Sequence, residues 1–120
     1  MKRIILALAV ISCTAIVNAQ TRDESEKLRT EVESNLVGNI LPFWLDNAAD
    51  PDGGFHGAIG VDGKAIEGAE RGTLMTARIL WTFARAYRQY GLEEYRNMAD
   101  YAAENLINDC IDKKYGGMFW

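Results

Sequence analysis

Arg71-Gly72-Thr73-Leu74-Met75-Thr76-Ala77-Arg78-Ile79-Leu80-Trp81-Thr82-Phe83 decides the fold of this 120-residue chain. The stretch reads as a helix apolar on almost every side, with one arginine set into it. A helix apolar all round is expected to be buried. A buried guanidinium keeps its proton, so it needs an anion, a ring of acceptors or a polar cavity to face. Arg78 therefore marks either a structural ion pair, with Glu67 or Glu70 as partner, or the wall of a polar pocket in an all-α protein.

Two further helices flank this one. Leu28, Val32, Leu36, Ile40 and Phe43/Trp44 recur about every four residues and predict a charged helix with one apolar stripe over residues 23–45. Pro42 is expected to kink or tighten its last turn. The inner stretch predicts a helix from Gly72 to Tyr90, stopped by Gly91. A third helix is predicted over residues 92–111, with Tyr95, Met98/Ala99, Ala102, Leu106 and Cys110 on one face. No run alternates long enough to predict a sheet.

The breaks between helices repeat. Asp50-Pro51-Asp52-Gly53-Gly54-Phe55-His56-Gly57 has an echo in Asp112-Lys113-Lys114-Tyr115-Gly116-Gly117-Met118-Phe119-Trp120, and Gly53 and Gly116 stand 63 positions apart. One outer helix, one loop and one inner helix is the unit of an α/α toroid. Such a unit does not bury its inner helix alone, so several must stack. Because the pattern calls for another inner helix after Trp120, the chain is expected to be the N-terminal part of a longer protein.

The start of the chain reads as a targeting segment. Lys2 and Arg3 precede an apolar run from Ile4 to Ile16, and Val17-Asn18-Ala19 offers small residues for cleavage before Gln20. The run is shorter than the roughly 20 residues that span a bilayer. Residues 1–19 are thus expected to be a signal peptide and residues 20–120 an exported, periplasmic product with no membrane association. Val10-Ile11-Ser12-Cys13 supplies the alternative, a lipoprotein anchored at Cys13. Without residues 1–19 the chain carries 11 basic and 17 acidic residues, net −6. It has no basic stripe to neutralise phosphates, which argues against nucleic acid as a partner. Cys110 would then be the one cysteine, excluding an internal disulfide and reading as core filler.

Leu41-Pro42-Phe43-Trp44, Asp52-Gly53-Gly54-Phe55-His56-Gly57, Arg71-Gly72 to Trp81-Thr82-Phe83, and Tyr115-Gly116-Gly117-Met118-Phe119-Trp120 together resemble the opening of the N-acylglucosamine 2-epimerase family, within it the cellobiose and mannobiose 2-epimerases. The resemblance implies an (α/α)6 barrel whose inner helices line a deep cup. It implies inversion at C2 of the reducing-end residue of a saccharide, through ring opening and a cis-enediolate, with neither metal nor cofactor. In that chemistry one histidine removes the C2 proton and another returns a proton to the opposite face. The resemblance places those histidines on inner helices beyond Trp120, so residues 1–120 alone are expected to be inactive. It assigns Arg78 to the carbonyl or enediolate oxygens. Arg71 departs from the lysine usual before this glycine. Choice of sugar would reside in loops beyond Trp120, and residues 1–120 do not specify an oligomeric state.

Around Arg78, Trp81 is a candidate floor for the sugar, or else core. Arg85 lies about 10 Å further along the helix and reads as structural. His56 is a candidate hydrogen-bonding residue for sugar hydroxyls, or a plain turn residue, and Trp120 a candidate stacking surface. Asp50, Asp52 and Asp112 read as turn-formers. Two rival functions remain: an (α/α)6 glycoside hydrolase, which needs two carboxylates flanking the scissile bond, and a non-catalytic sugar-binding protein.

Overall fold

Two turns of glycine chemistry frame the helix on which the fold is built. The computed structural model describes residues 21–119, and within them helices are joined by turns and by a longer segment, 48–72, that carries two hairpins. Residues 21–35 form α1, followed by a π-helical turn over Leu36–Ile40. The predicted stripe of α1 is not a buried one, since Leu28 and Val32 are 61% and 60% exposed. Across the π turn, Asn39 Nδ2 donates to Asn35 Oδ1 at 3.2 Å.

Leu41–Trp120 forms a second compact unit. It holds α2 (Leu41–Asn47), α3 (Thr73–Tyr90) and α4 (Glu93–Asn105), with a second π-helical turn over Leu106–Cys110. Gly72 opens α3 in an extended conformation. Gly91 closes it at φ 69°, and its N–H reaches the Tyr87 carbonyl at 2.8 Å. The chain needs only Leu92 before α4 begins, so the two helices lie back to back.

Their packing makes the core. From α3 come Thr76, Ile79, Phe83 and Ala86, spaced three and four apart. From α4 come Tyr95, Met98, Ala99 and Ala102. Phe83 and Tyr95 are tilted rings 5.9 Å apart, and Tyr90 meets Tyr95 edge-on at 6.2 Å. The small Ala99 and Ala102 let the helices approach. Leu41 and Ala48 of the α2 region, with Phe55, complete the buried set.

Within residues 21–119, α3 is not covered on all sides, in keeping with a unit that does not bury its inner helix alone. Only the stripe against α4 is covered, while Leu74 and Trp81 are 48% and 68% exposed. The physical reason is that one neighbouring helix covers one face, and Arg78, Trp81 and Arg85 share the face turned away. No helix among the described residues is long and apolar enough to cross a membrane.

The repeated breaks are one device. In the first, Asp50 N–H donates to the Gly54 carbonyl at 3.0 Å, Gly53 N–H to Asp50 at 2.9 Å, and His56 N–H to Ala48 at 3.1 Å. In the second, Asp112 N–H donates to Gly117 at 3.0 Å, Gly116 N–H to Asp112 at 2.9 Å, and Phe119 N–H to Cys110 at 2.8 Å. Gly53 and Gly54 stand at φ 110° and 73°, and Gly116 and Gly117 at 78° and 86°, where an L side chain is strained. The pairing is confined to the single bridges Ala49–Phe55 and Ile111–Met118.

A third hairpin of the same pattern went unread in the sequence. Gly60 N–H donates to Lys64, Gly63 N–H to Gly60 and Ile66 N–H to Ala58, with an Ile59–Ala65 bridge.

Phe83, 1% exposed at the centre of the α3–α4 packing, gives a direct test. In the complete protein, Phe83→Ala is expected to lower unfolding free energy by about 3–5 kcal/mol, read from urea unfolding curves. A loss below 1 kcal/mol would remove this contact from the core.

Candidate functional site

The first Gly-Gly turn delivers one large side chain inward and leaves the next at the rim, whereas Met118 and Phe119 after the second turn are both exposed. Phe55 follows Gly54 into the core, 4% exposed, and meets Tyr101 of α4 edge-on at 5.4 Å. The Tyr101 hydroxyl donates to the Gly54 carbonyl at 3.2 Å, pinning the turn to α4. His56, one residue on, therefore points the other way and lines a cleft of about 400 Å³ between the two Gly-Gly turns.

The other walls come from the ends of helices. Arg71, Thr73 and Thr76 belong to the start of α3 and its approach, and Asn105, Asp109 and Cys110 to the end of α4 and the π turn after it. Thr73 Oγ1 donates to the Phe119 carbonyl at 2.6 Å, joining the second turn to the first residue of α3. Asn105 Nδ2 donates to Asp109 Oδ2 at 2.7 Å, and Thr76 Oγ1 lies 3.4 Å from Asn105 Oδ1. Among the described residues, no three His, Cys, Asp or Glu side chains converge to hold a metal ion.

Asp50 lies behind the cleft wall and joins two of its lining residues, His56 and Arg71. Its Oδ1 accepts from the Asp52 N–H at 2.9 Å, the turn-forming role the sequence predicts. Its Oδ2 meets the Arg71 guanidinium and lies 3.3 Å from His56 Nδ1. Arg71 also donates to the Gly53 carbonyl at 2.7 Å. The Asp50 carboxyl is held below the ordinary aspartate range, first by the Asp52 N–H, against some opposing burial, then by the Arg71 and His56 charges. Sequence reasoning missed this role of Asp50 because its partners lie 6 and 21 positions away. The arginine before the α3 glycine was the one available signal.

Arg78 and Trp81 lie elsewhere. They line a separate open hollow of about 480 Å³ with Ala77 and Thr82, on the exposed face of α3. Arg78 pairs with neither Glu67 nor Glu70, and makes no ion pair among the described residues. One helical turn separates Arg78 from Trp81, so a guanidinium and an indole face stand side by side. The structure thus brings together Arg78 and Trp81, and sets His56 in the cleft at the N-terminal end of the same helix. Trp120 and the signal segment 1–19 lie outside the described residues.

The Asp50 cluster makes a pH prediction. A carboxyl whose folded pKa is lowered from 3.8 contributes stability that is fully present above that value. The contribution is lost as pH falls through the lower folded pKa. The difference in urea midpoint between wild type and Asp50→Asn is expected to shrink between pH 6 and about pH 2. A difference constant with pH would refute a charge-based role.

The chain has recognisable relatives. Residues 53–120, more than half of it, match the sequence profile of the family described as N-acylglucosamine 2-epimerase (GlcNAc 2-epimerase). Over 96 residues it is 40% identical to the cellobiose 2-epimerase of Bacteroides fragilis, covering 79% of this chain and 24% of that protein. The cellobiose 2-epimerase of Dictyoglomus turgidum is 37% identical over 93 residues, covering 78% of this chain and 24% of that protein. The solved structure of the cellobiose 2-epimerase from Spirochaeta thermophila superposes with a TM-score of 0.72 at 36% identity, covering 79% of this chain and 23% of that one. The chain thus spans about a quarter of the length of the curated relatives it matches. Those structural relatives are (α/α)6 barrels, and the helices described above are part of that architecture. With its repeated Gly-Gly turns, its inner helix and these matches, the chain belongs to the N-acylglucosamine 2-epimerase family.

Proposed function

We propose that this chain supplies part of a carbohydrate 2-epimerase that inverts C2 of the reducing-end residue of a disaccharide such as cellobiose. The observation that carries the reading is the Arg78 guanidinium, which makes no ion pair among the described residues, beside Trp81 on the open face of α3. The identities of 35–40% to cellobiose 2-epimerases support the substrate class.

The step is an isomerisation. The reducing-end ring opens to a C1 aldehyde, and a base takes the proton from C2. The electron pair of that C–H bond moves into a C1–C2 double bond, and negative charge collects on the C1 oxygen of a cis-enediolate. A proton delivered to the opposite face of C2 restores the aldehyde with inverted configuration. One proton leaves and one returns, so electrons balance within the substrate. The acid and base are assigned, by family resemblance, to histidines outside residues 1–120.

Arg78 acts on the charge that develops. An arginine stays protonated throughout and donates through a planar fork, which suits two adjacent oxygens at C1 and C2. Stabilisation given only when charge develops lowers the barrier instead of merely tightening binding. Trp81 offers an apolar face to the C–H surface of the pyranose. Residues 1–19 add an export signal to the same reading, placing the enzyme in the periplasm or, by the Cys13 alternative, on a membrane through a lipid.

In D2O, the complete protein incubated with cellobiose is expected to place deuterium at C2 of the reducing-end residue. Release of glucose without C2 exchange would overturn the proposal in favour of hydrolysis. Binding with neither outcome would favour a sugar-binding protein. Arg78→Ala is expected to lower kcat by a factor of about 10²–10³, roughly 3–4 kcal/mol, measured by initial rates of epimer formation. An unchanged kcat would remove Arg78 from the mechanism.

A further inference from the structure

The two Gly-Gly turns permit an internal comparison that isolates what is extra in the first. Asp112 Oδ1 accepts from the Lys114 and Tyr115 N–H groups at 2.8 and 3.0 Å, and that closes the second turn. Asp112 makes no ion pair among the described residues. Asp50 Oδ1 does the same service for Asp52. The contacts of Asp50 Oδ2 with Arg71 and His56 are therefore not demanded by the turn.

Those contacts have a chemical consequence for the imidazole. His56 Nδ1 lies 3.3 Å from Asp50 Oδ2, and because an ionised carboxylate only accepts hydrogen bonds, the ring nitrogen nearest it is the one favoured to carry the proton. In neutral His56 the other nitrogen, Nε2, then bears a lone pair. His56 is part of the cleft wall, with its side chain 21% exposed, whereas the Asp50 side chain is 11% exposed behind it. The carboxylate sits at the back and the imidazole at the front, an order that lets the first act on a ligand only through the second.

We infer that Asp50 is a positioning residue for saccharide binding: it holds His56 with Nδ1–H turned to its own carboxylate, so that Nε2 accepts a hydrogen bond from a sugar hydroxyl in the cleft between the two Gly-Gly turns. Arg71 completes the arrangement, tying the same carboxylate and the Gly53 carbonyl to the residue before the α3 cap. The inference rests on the epimerase reading for the identity of the ligand as a sugar. A hydroxyl is the matching group because it donates to a lone pair that a carboxylate or a carbonyl could not satisfy.

The test uses the complete protein with cellobiose, recording kcat and KM separately. Asp50→Asn keeps an oxygen for the Asp52 N–H but turns an amide donor toward Arg71 and His56. His56→Asn keeps an N–H near the Nδ1 position and lacks the Nε2 edge. Each is expected to raise KM about tenfold, with kcat within about twofold. The double variant is expected to be no worse than the weaker-binding single variant, since both act through one contact. In parallel, proton–nitrogen correlation spectra of protein carrying ¹⁵N-histidine read the His56 tautomer directly, with His56→Asn identifying its signals. Wild type is expected to show protonated Nδ1 and bare Nε2, and Asp50→Asn to shift the population toward protonated Nε2. Unchanged KM in both variants, or a wild-type imidazole protonated at Nε2, would overturn the inference. Should Asp50→Asn fail to fold, the wild-type tautomer and the KM of His56→Asn decide the matter. Absence of C2 exchange in wild type would sink the epimerase reading, while the tautomer would still report on Asp50.

Discussion

Everything in the second unit depends on a tight reversal in which an aspartate N–H bonds to a glycine carbonyl four or five residues ahead. The reversal requires paired glycines at positive φ, because no L side chain is comfortable there. Having reversed, the chain drives Phe55 into the core against Tyr101 and turns His56 outward. The Tyr101 hydroxyl then locks the turn to α4 by its carbonyl. Core and rim are thus set by consecutive residues, and a slip of one position would exchange them.

The helix that follows is organised by the same economy of faces. Packing against α4 uses residues spaced three and four apart and leaves an arginine and a tryptophan on the far side. Burial of a charged side chain with no partner would be costly. Among the described residues Arg78 avoids that cost by standing in an open hollow. The cleft around His56 and the hollow around Arg78 both draw part of their lining from α3.

Much of this was legible in the sequence. The three helices, the stop at Gly91 and the equivalence of the two Gly-Gly turns follow from periodicity and from glycine chemistry that acts over a few residues. Three features were not. The face of α3 left open depends on how many neighbours the helix has, which residues 71–83 do not encode. The hairpin at Ala58–Ile66 has one glycine at its bend, Gly63, and so lacked the paired signal of the others. The Asp50–His56–Arg71 cluster joins residues across a loop, and local turn propensity had already accounted for Asp50.

The two π-helical turns have a bearing on how the repeat is counted. Each begins at a leucine preceded by asparagine, and each is spanned by a side-chain bond from residue i to i+4, Asn35 with Asn39 and Asn105 with Asp109. Measured at these clasps the repeat is 70 residues, whereas at the paired glycines it is 63. The seven residues of α2 lie between clasp and turn in the first copy and have no counterpart in the second. A search for internal duplication at a single fixed period would therefore register one landmark and miss the other. The two counts differ by seven residues, the length of α2, so the landmarks agree only when α2 is left out of the comparison.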